Sequence, residues 1–266
     1  MPLRVAIHGA GKMGREILQA LGRNPDFQVV GAVDIRAPAH PLPPGFETIL
    51  YSPHLEEVLG RGKPQVLADF SVAEAARAMV PVATSKGVNV VMGTTGLTPH
   101  DLEEFDRLSR EAGVGVVAAP NFALGAVVMN YLAQLAARHF DYAEIIEMHH
   151  HEKLDAPSGT ALATARAIAK ARGKPFLHPV TQKENLPGTR GGELSGIALH
   201  SLRLPGLMAH QQVVFGALGQ TLSIRHDAIS RECFMPGVLL AIKAVVELKG
   251  LVYGLDKLLG LGGNPP

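Results

Sequence analysis

Tryptophan is absent from this chain, and cysteine is nearly so, with Cys233 standing alone. A single thiol cannot form an internal disulfide, so the fold must be held by its core, and a reducing cytoplasm is the expected compartment. Net charge is also lacking: Lys+Arg 25 against Asp+Glu 24 leaves a formal +1 over 266 residues. That balance gives no global pull toward nucleic acid or an anionic membrane, so any anion must be gripped by local groups. Long apolar runs are missing too. The most apolar C-terminal run, residues 238–246, is broken by Lys243 and is too short to span a bilayer. The first residues enter a strand pattern and do not read as a secretory leader. A soluble protein without nucleic-acid or membrane partners is expected.

What is present is enough apolar material for a sizeable core, at 47% of residues. Gly 29 and Pro 19 stay below the level that signals low complexity, and no internal repeat is visible. Short apolar runs at residues 3–7, 28–33, 66–70, 88–92 and 114–118 alternate with helical patterns, among them 99–112. Pro38, Pro41, Pro43 and Pro44 break the chain into a loop, and Ser71 with Glu74 reads as a capping box for the helix that follows the third strand. Strands separated by crossovers of this length argue an α/β fold, a doubly wound parallel-sheet (Rossmann) dinucleotide-binding domain. After about residue 122 the rhythm changes. A helix at 126–139, a strand at 143–148 and a helix at 158–172 precede strand-like stretches at 196–204, 211–217 and 220–226, which suggests a second α+β domain with a mixed sheet. A last helix, 236–247, returns to the first domain. The expected division is 1–121 with 232–266 for dinucleotide binding and 122–231 for substrate binding and oligomerisation.

Two segments carry chemistry. The first runs Val5-Ala6-Ile7-His8-Gly9-Ala10-Gly11-Lys12-Met13-Gly14, a strand, then G-x-G-x-x-G, then a helix. Gly9 permits the tight turn, Gly11 lets backbone approach a pyrophosphate, and Gly14 lets helix and strand pack closely. N–H groups of Ala10, Gly11, Lys12 and Met13 at the helix start then hold the anion. Asp34 ends the second strand, where a carboxylate accepts bonds from ribose hydroxyls. Its charge favours NADH over NADPH, while Arg36, two positions on, is the residue that would accommodate a 2′-phosphate; NADH or NADPH stays open. The competing reading is a Gly-rich turn whose anion site is empty or takes a mononucleotide.

The second segment, residues 147–160, reads Glu-Met-His-His-His-Glu-Lys-Leu-Asp-Ala-Pro-Ser-Gly-Thr. Strand alternation puts Glu147, His149, His151 and Lys153 on one face and His150 with Glu152 on the other. Imidazole titrates near neutrality and lysine supplies a donor or a counter-charge, so His149 and Lys153 suit proton transfer in one pocket. Ser158, Gly159 and Thr160 open the next helix and present backbone N–H groups to a carboxylate. Two other readings stand beside this one: a metal site built from the three histidines, and a solvated strand end with Ser158 or Asp155 as a mere cap. A cysteine-dependent semialdehyde dehydrogenase would need Cys233, which has no base motif beside it. A scaffold that binds NAD(H) without turnover is a further rival.

Taken together, the pair His149-His150, Lys153 and Asp155-Ala156-Pro157-Ser158-Gly159-Thr160-Ala161 closely resembles the signature of the dihydrodipicolinate reductase family of bacterial lysine and diaminopimelate synthesis. Gly9 to Gly14, Gly93-Thr94-Thr95, Ala119-Pro120-Asn121-Phe122 and the stretch around Ser230-Arg231 match as well, so the resemblance covers essentially the whole chain. It implies reduction of a small cyclic dicarboxylate to tetrahydrodipicolinate, with hydride from C4 of a nicotinamide. It further implies that His149 is a proton donor or acceptor and Lys153 a proton donor, and that His150, Gly159 and Thr160 bind substrate. Gly93, Thr94, Thr95, Ala119, Pro120, Asn121 and Phe122 would line the nicotinamide side, with no metal, in a homotetramer joined through the sheet of the second domain. The glycine loop is one residue shorter than in many members, and Ile35 stands where some carry a basic residue. If both histidines serve the substrate, the strand must end or bulge near His149.

Overall fold

The computed structural model describes residues 1–37 and 41–261. Pro38 of the proline-rich loop lies outside the described residues, as do residues 262–266 of the expected first domain. The chain forms two compact units, one of Met1–Leu124 together with the described residues from Arg231 onward, the other of Gly125–Ser230.

The first unit alternates strand and helix as its sequence rhythm predicts. Strands β1 (Leu3–His8), β2 (Phe27–Val33) and β3 (Leu50–Ser52) are interleaved with helix α1 (Lys12–Gly22). A short turn α2 (Leu55–Glu57) leads to β4 (Val66–Asp69), α3 (Ala73–Ser85), β5 (Asn89–Met92), α4 (Pro99–Ala112) and β6 (Gly115–Ala118). The helices α7 (Met235–Val245) and α8 (Leu255–Leu258) and the strand β12 (Gly250–Tyr253) come from the far end of the chain. All seven strands are parallel, in the order β12-β6-β5-β4-β1-β2-β3. β4, β5 and β6 are almost wholly buried, the state expected of parallel strands covered on both faces. Leu67, Met79, Val80, Val90, Met92, Phe105 and Val116 form one core cluster, and α7 packs on β4, β5, β6 and α1. α4 starts where predicted: Thr98 and Asp101 form a reciprocal capping box, with Pro99 at the first helical position.

Strand order reverses between β1 and β4, because β2 and β3 lie on one side of β1 and β4, β5 and β6 on the other. In open parallel sheets, the crevice outside the carboxyl ends of the strands at such a point is where ligands bind. Here it collects the glycine loop after β1, residues 69–71 after β4, 93–95 after β5 and 119–122 after β6.

The second unit holds a mixed sheet of β7 (Tyr142–His149), β8 (Gly192–Leu194), β9 (Ile197–Arg203), β10 (Ala209–Ala217) and β11 (Gln220–Ala228), ordered β11-β10-β7-β9-β8. β7 and β9 are parallel and the remaining pairs antiparallel. Helices α5 (Leu124–Ala137) and α6 (Gly159–Arg172) bury Ala133, Ala137, Ala161, Ala165 and Ile168 against Ile145, Val213 and Phe215 on one sheet face. Small alanines on both helices let them lie close to the strands. The far face presents the alternate positions, including the exposed Tyr142 and Leu202.

One local expectation fails. Ser71 does not cap α3: Val72 occupies the cap position with no side-chain bond, and the Ser71 hydroxyl donates instead to Asp69 Oδ1 at 2.6 Å. Donation to a buried carboxylate is a charge-assisted bond, stronger than one between neutral groups.

Candidate functional site

In the first unit the glycine loop has the shape its spacing predicts. Gly9 has φ +89°, and a Cβ there would sit 2.9 Å from the Phe70 carbonyl oxygen. A Cβ on Gly14 would come within 2.0 Å of the Gly9 carbonyl oxygen, so helix and loop touch only because position 14 is bare. Gly11 caps α1 without any side-chain bond, and there is no acidic residue in the first turn. A Cβ on Gly11 would meet nothing nearer than Arg36 Nη2 at 3.8 Å. The helix start is thus an open cradle of N–H groups with a partial positive charge, which fits a pyrophosphate. Ala10 is buried in this turn, Lys12 exposed and Met13 half-buried.

Asp34 is engaged in a way that spacing alone did not reveal. Its Oδ2 accepts from the Ala10 N–H at 2.9 Å and from Arg36 Nη2 at 3.0 Å. Its Oδ1 accepts from the Arg36 backbone N–H and Nε, both at 2.9 Å. The Arg36 guanidinium holds the Asp34 carboxyl down at about 2, outweighing the upward push of burial. Arg36 therefore reaches Asp34, and Asp34 is a charge-paired carboxylate tied to the glycine loop. Ile35 projects outward between them, 91% exposed.

Beside this cradle, Gly93, Thr94, Thr95, Ala119, Pro120, Asn121 and Phe122 line one cleft with Met13, Phe70, Ser71 and Phe234, about 280 Å³ in volume. Behind two of these lining residues, Ser71 and Thr94, stands a residue that the apolar pattern alone does not single out. Asp69 is fully buried and accepts from Thr94 Oγ1 at 2.6 Å and Ser71 Oγ at 2.6 Å, and its Oδ1 lies 2.7 Å from His8 Nδ1. One carboxylate thus ties together the ends of β1 and β4 and the loop after β5. The available signal was an aspartate closing the apolar run Val66-Leu67-Ala68, as Asp34 closes the second strand.

In the second unit β7 ends at His149, as required if its neighbour is to turn the other way. His150 and His151 are exposed, and the chain turns back with the Lys153 N–H donating to the His150 carbonyl at 3.2 Å. The Lys153 ammonium pairs with Asp155 Oδ1 at 2.6 Å and is near enough to His149 for its charge to act on the ring. His149 Nδ1 lies 2.6 Å from Oε2 of Glu147, the residue that alternation puts on the same face. Glu147 is completely buried, yet its carboxyl stays below the ordinary range: burial pushes it up, and bonds from Arg203, Ser201 and His149 more than offset this. His149 is also lowered, by burial first, against an upward pull from Glu147. Among the described residues, no group of three or more His, Cys, Asp or Glu is placed to share a metal ion. Cys233 sits in a short turn where burial pushes its thiol up, away from the thiolate a nucleophile needs.

The start of α6 shows how Ser158 is engaged. Ser158 is buried, its N–H donates to Glu147 Oε1 at 3.1 Å, and its hydroxyl accepts from the Ala161 N–H at 3.2 Å. It is the cap of the helix, with its N–H engaged by Glu147 and its hydroxyl oxygen by the first turn. Gly159 and Thr160, both exposed, head the first turn, where N–H groups lack intrahelical acceptors.

A dinucleotide cradle at a topological switch point, joined in one chain to a second unit with a buried carboxylate–histidine pair, defines an oxidoreductase of the Rossmann class. The matches to known proteins give the family. The model for the N-terminus of dihydrodipicolinate reductase matches residues 3–122, and that for its C-terminus residues 125–259. The chain belongs to the dihydrodipicolinate reductase family. It is 54% identical over 263 residues to the 4-hydroxy-tetrahydrodipicolinate reductase of Dehalococcoides mccartyi, covering 98% of this chain and 99% of that protein. To the enzyme of the same name from Moorella thermoacetica it is 48% identical over 264 residues, covering 97% and 98%. Among solved structures, the dipicolinate-bound dihydrodipicolinate reductase of Paenisporosarcina sp. TG-14 superposes with a TM-score of 0.88 at 40% identity, covering 97% of this chain and 99% of that one. An amine dehydrogenase from Mycobacterium smegmatis, at 14% identity and TM-score 0.64 over 96% of each chain, shares the fold. Membership of this reductase family places the chain in lysine and diaminopimelate synthesis and supports a nicotinamide dinucleotide as the cofactor class. No described helix is long and apolar enough to cross a membrane.

Proposed function

We propose that this protein reduces 4-hydroxy-tetrahydrodipicolinate to tetrahydrodipicolinate, consuming one NAD(P)H and one proton and releasing one water. The first unit is read as dinucleotide-binding, over residues 1–121 and 232–266, and the second, 122–231, as the unit for substrate and for assembly. When bound, the reduced nicotinamide supplies the hydride. Everything else falls to the chain's own groups. The N–H groups at the start of α1 bind the pyrophosphate. Gly93 to Thr95 and Ala119 to Phe122 give the nicotinamide ring a wall, with Asp69 fixing Thr94 through its hydroxyl.

Substrate carboxylates go to Lys153, His150 and the exposed N–H groups of Gly159 and Thr160, with Ser158 holding that turn in place. His149 exchanges a proton through Nε2, its Nδ1 being occupied by Glu147. Lys153 is the second proton donor. The observation that carries this reading is the His149 ring, anchored at Nδ1 by a buried carboxylate, with the Lys153 charge acting on it and an uncapped pair of N–H groups at the start of α6. Both coenzymes are accepted in this reading: Arg36 neutralises Asp34 and, about half exposed, can face a 2′-phosphate. Assembly as a cytoplasmic homotetramer through the far face of the second unit's sheet would cover Tyr142 and Leu202.

The test is a coupled assay. Pyruvate and aspartate semialdehyde are converted by the preceding synthase, then this protein is added with NADH or NADPH and the loss of reduced-cofactor absorbance is followed. Binding of NADH without substrate-dependent oxidation would refute the reading in favour of a scaffold. Activity abolished by a chelator would refute it in favour of metal chemistry.

A further inference from the structure

The carboxylate of Glu147 is engaged from three elements of the second unit. From its own strand it meets His149 Nδ1 at 2.6 Å. From β9 it receives two bonds of one guanidinium, Arg203 Nη1 at 2.9 Å and Nη2 at 2.7 Å. From the cap of α6 it receives the Ser158 N–H at 3.1 Å. Arg203 Nη2 also donates to the Asp155 carbonyl at 2.7 Å, which ties down the turn bearing Lys153. The register makes this arrangement possible: Glu147 pairs with Ser201 and His149 with Arg203 across the parallel β7–β9 ladder, so all four point to one face.

An ionised carboxylate only accepts hydrogen bonds. A guanidinium, a backbone N–H and a hydroxyl all stabilise the ionised form, so Nδ1 of a neutral His149 must carry the hydrogen and Nε2 must be bare. We infer that Glu147 is a positioning residue: it fixes His149 in the Nδ1–H tautomer, aims Nε2 at the substrate, and through Ser158 sets the angle of the N–H groups at Gly159 and Thr160. One buried side chain thereby sets both the proton-transfer group and the anion cradle, and Arg203 holds that side chain ionised. This rests on the function proposed above and adds to it which atom of His149 faces the substrate and what keeps it there.

The charged groups acting on His149 are Glu147 on its own strand, Arg203 on β9, and Lys153 on the following turn, the last paired with Asp155, while β10 sets Ala209 opposite it. The two central ones have opposite signs, and so do the predictions. Glu147→Gln keeps the shape and removes the negative charge, so the His149 pKa falls. Arg203→Gln removes a positive charge from beside both Glu147 and His149, so it rises. A neighbouring charge at this range is worth about 1–3 pH units.

The experiment is nitrogen NMR of ¹⁵N-histidine-labelled protein, with His149 assigned from His149→Gln, beside pH profiles of kcat/KM. Expected are an Nδ1–H tautomer in the wild type, a falling limb of the profile that moves to lower pH in E147Q and to higher pH in R203Q, and a kcat for E147Q down by about tenfold or more with cofactor KM unchanged. A merely structural role would lower the amount of active enzyme without moving either profile. An Nε2–H tautomer in the wild type, or profiles that stay put or move the same way, overturns the inference. Should both variants fail to fold, the wild-type tautomer still decides. An Nδ1–H tautomer in a protein that never oxidises the coenzyme would leave the positioning intact and sink the proposed function instead.

Discussion

Replacing Arg36 with alanine should separate the two coenzymes. The guanidinium makes two side-chain bonds to Asp34, at 2.9 and 3.0 Å, and its side chain is 51% exposed. NADPH carries a 2′-phosphate where NADH has a hydroxyl, and that dianion needs a cation and cannot tolerate a bare carboxylate. With Arg36 gone, the phosphate loses a charge-assisted bond and faces an unmasked Asp34. At so exposed a site the loss should be about tenfold in kcat/KM. NADH loses no phosphate contact and gains an acceptor for its ribose hydroxyls, so its kcat/KM should hold or rise. Steady-state oxidation of each coenzyme, with substrate generated in place, gives the ratio directly. An equal loss with both, or an unaffected NADPH, would refute the reasoning.

The same variant has a stability signature of fixed sign. The folded-state value of Asp34, about 2, is below its ordinary 3.8, so the pairing stabilises the fold above 3.8 and is lost as pH falls from there toward about 2. In R36A the acid-side decline of Tm in that window should be shallower.

Three further outcomes are expected. His149→Gln and Lys153→Ala should each lower kcat by at least about tenfold while reduced-cofactor emission still reports binding; wild-type turnover in both would remove them from the chemistry. Gly14→Ala drives a Cβ to 2.0 Å from the Gly9 carbonyl oxygen and should weaken NADH binding by about tenfold or more, 1.4 kcal/mol, with unchanged affinity meaning that the loop is not the cradle. Asp69→Ala strands the hydroxyls of Ser71 and Thr94 and the His8 ring, at a cost of about 1–3 kcal/mol in denaturant unfolding, and should raise cofactor KM; a silent variant would show that the cleft does not depend on it.

The parts legible in the sequence are those where local pattern and tertiary demand coincide. Helix α4 was placed to the residue because Thr98, Pro99 and Asp101 settle its start and Gly113 its end. The buried strands β4, β5 and β6 announce themselves as apolar runs bounded by turns. β3 and β12 escaped, being three and four residues long and held by neighbours in the sheet more than by any pattern of their own. The same distinction governs the site. His149, Lys153 and the glycine loop are local, and adjacency in the chain puts them on view. Arg203 meets Glu147 across 56 residues, and Thr94 meets Asp69 across 25, through strand pairing that only the register supplies. Asp34 and Ser158 were recognised by position, but their partners were not: Arg36 masks the one and Glu147 occupies the N–H of the other.

The dinucleotide unit is not contiguous in the chain. Its sheet ends in β12, paired with β6, and its core is closed by α7, yet both follow the whole of the second unit in sequence. During synthesis, then, the first 124 residues leave the ribosome with β6 as an uncovered edge and an apolar surface awaiting α7, a state open to unwanted strand pairing. A fragment truncated there should aggregate on expression, and adding residues 231–261 in trans is the natural rescue.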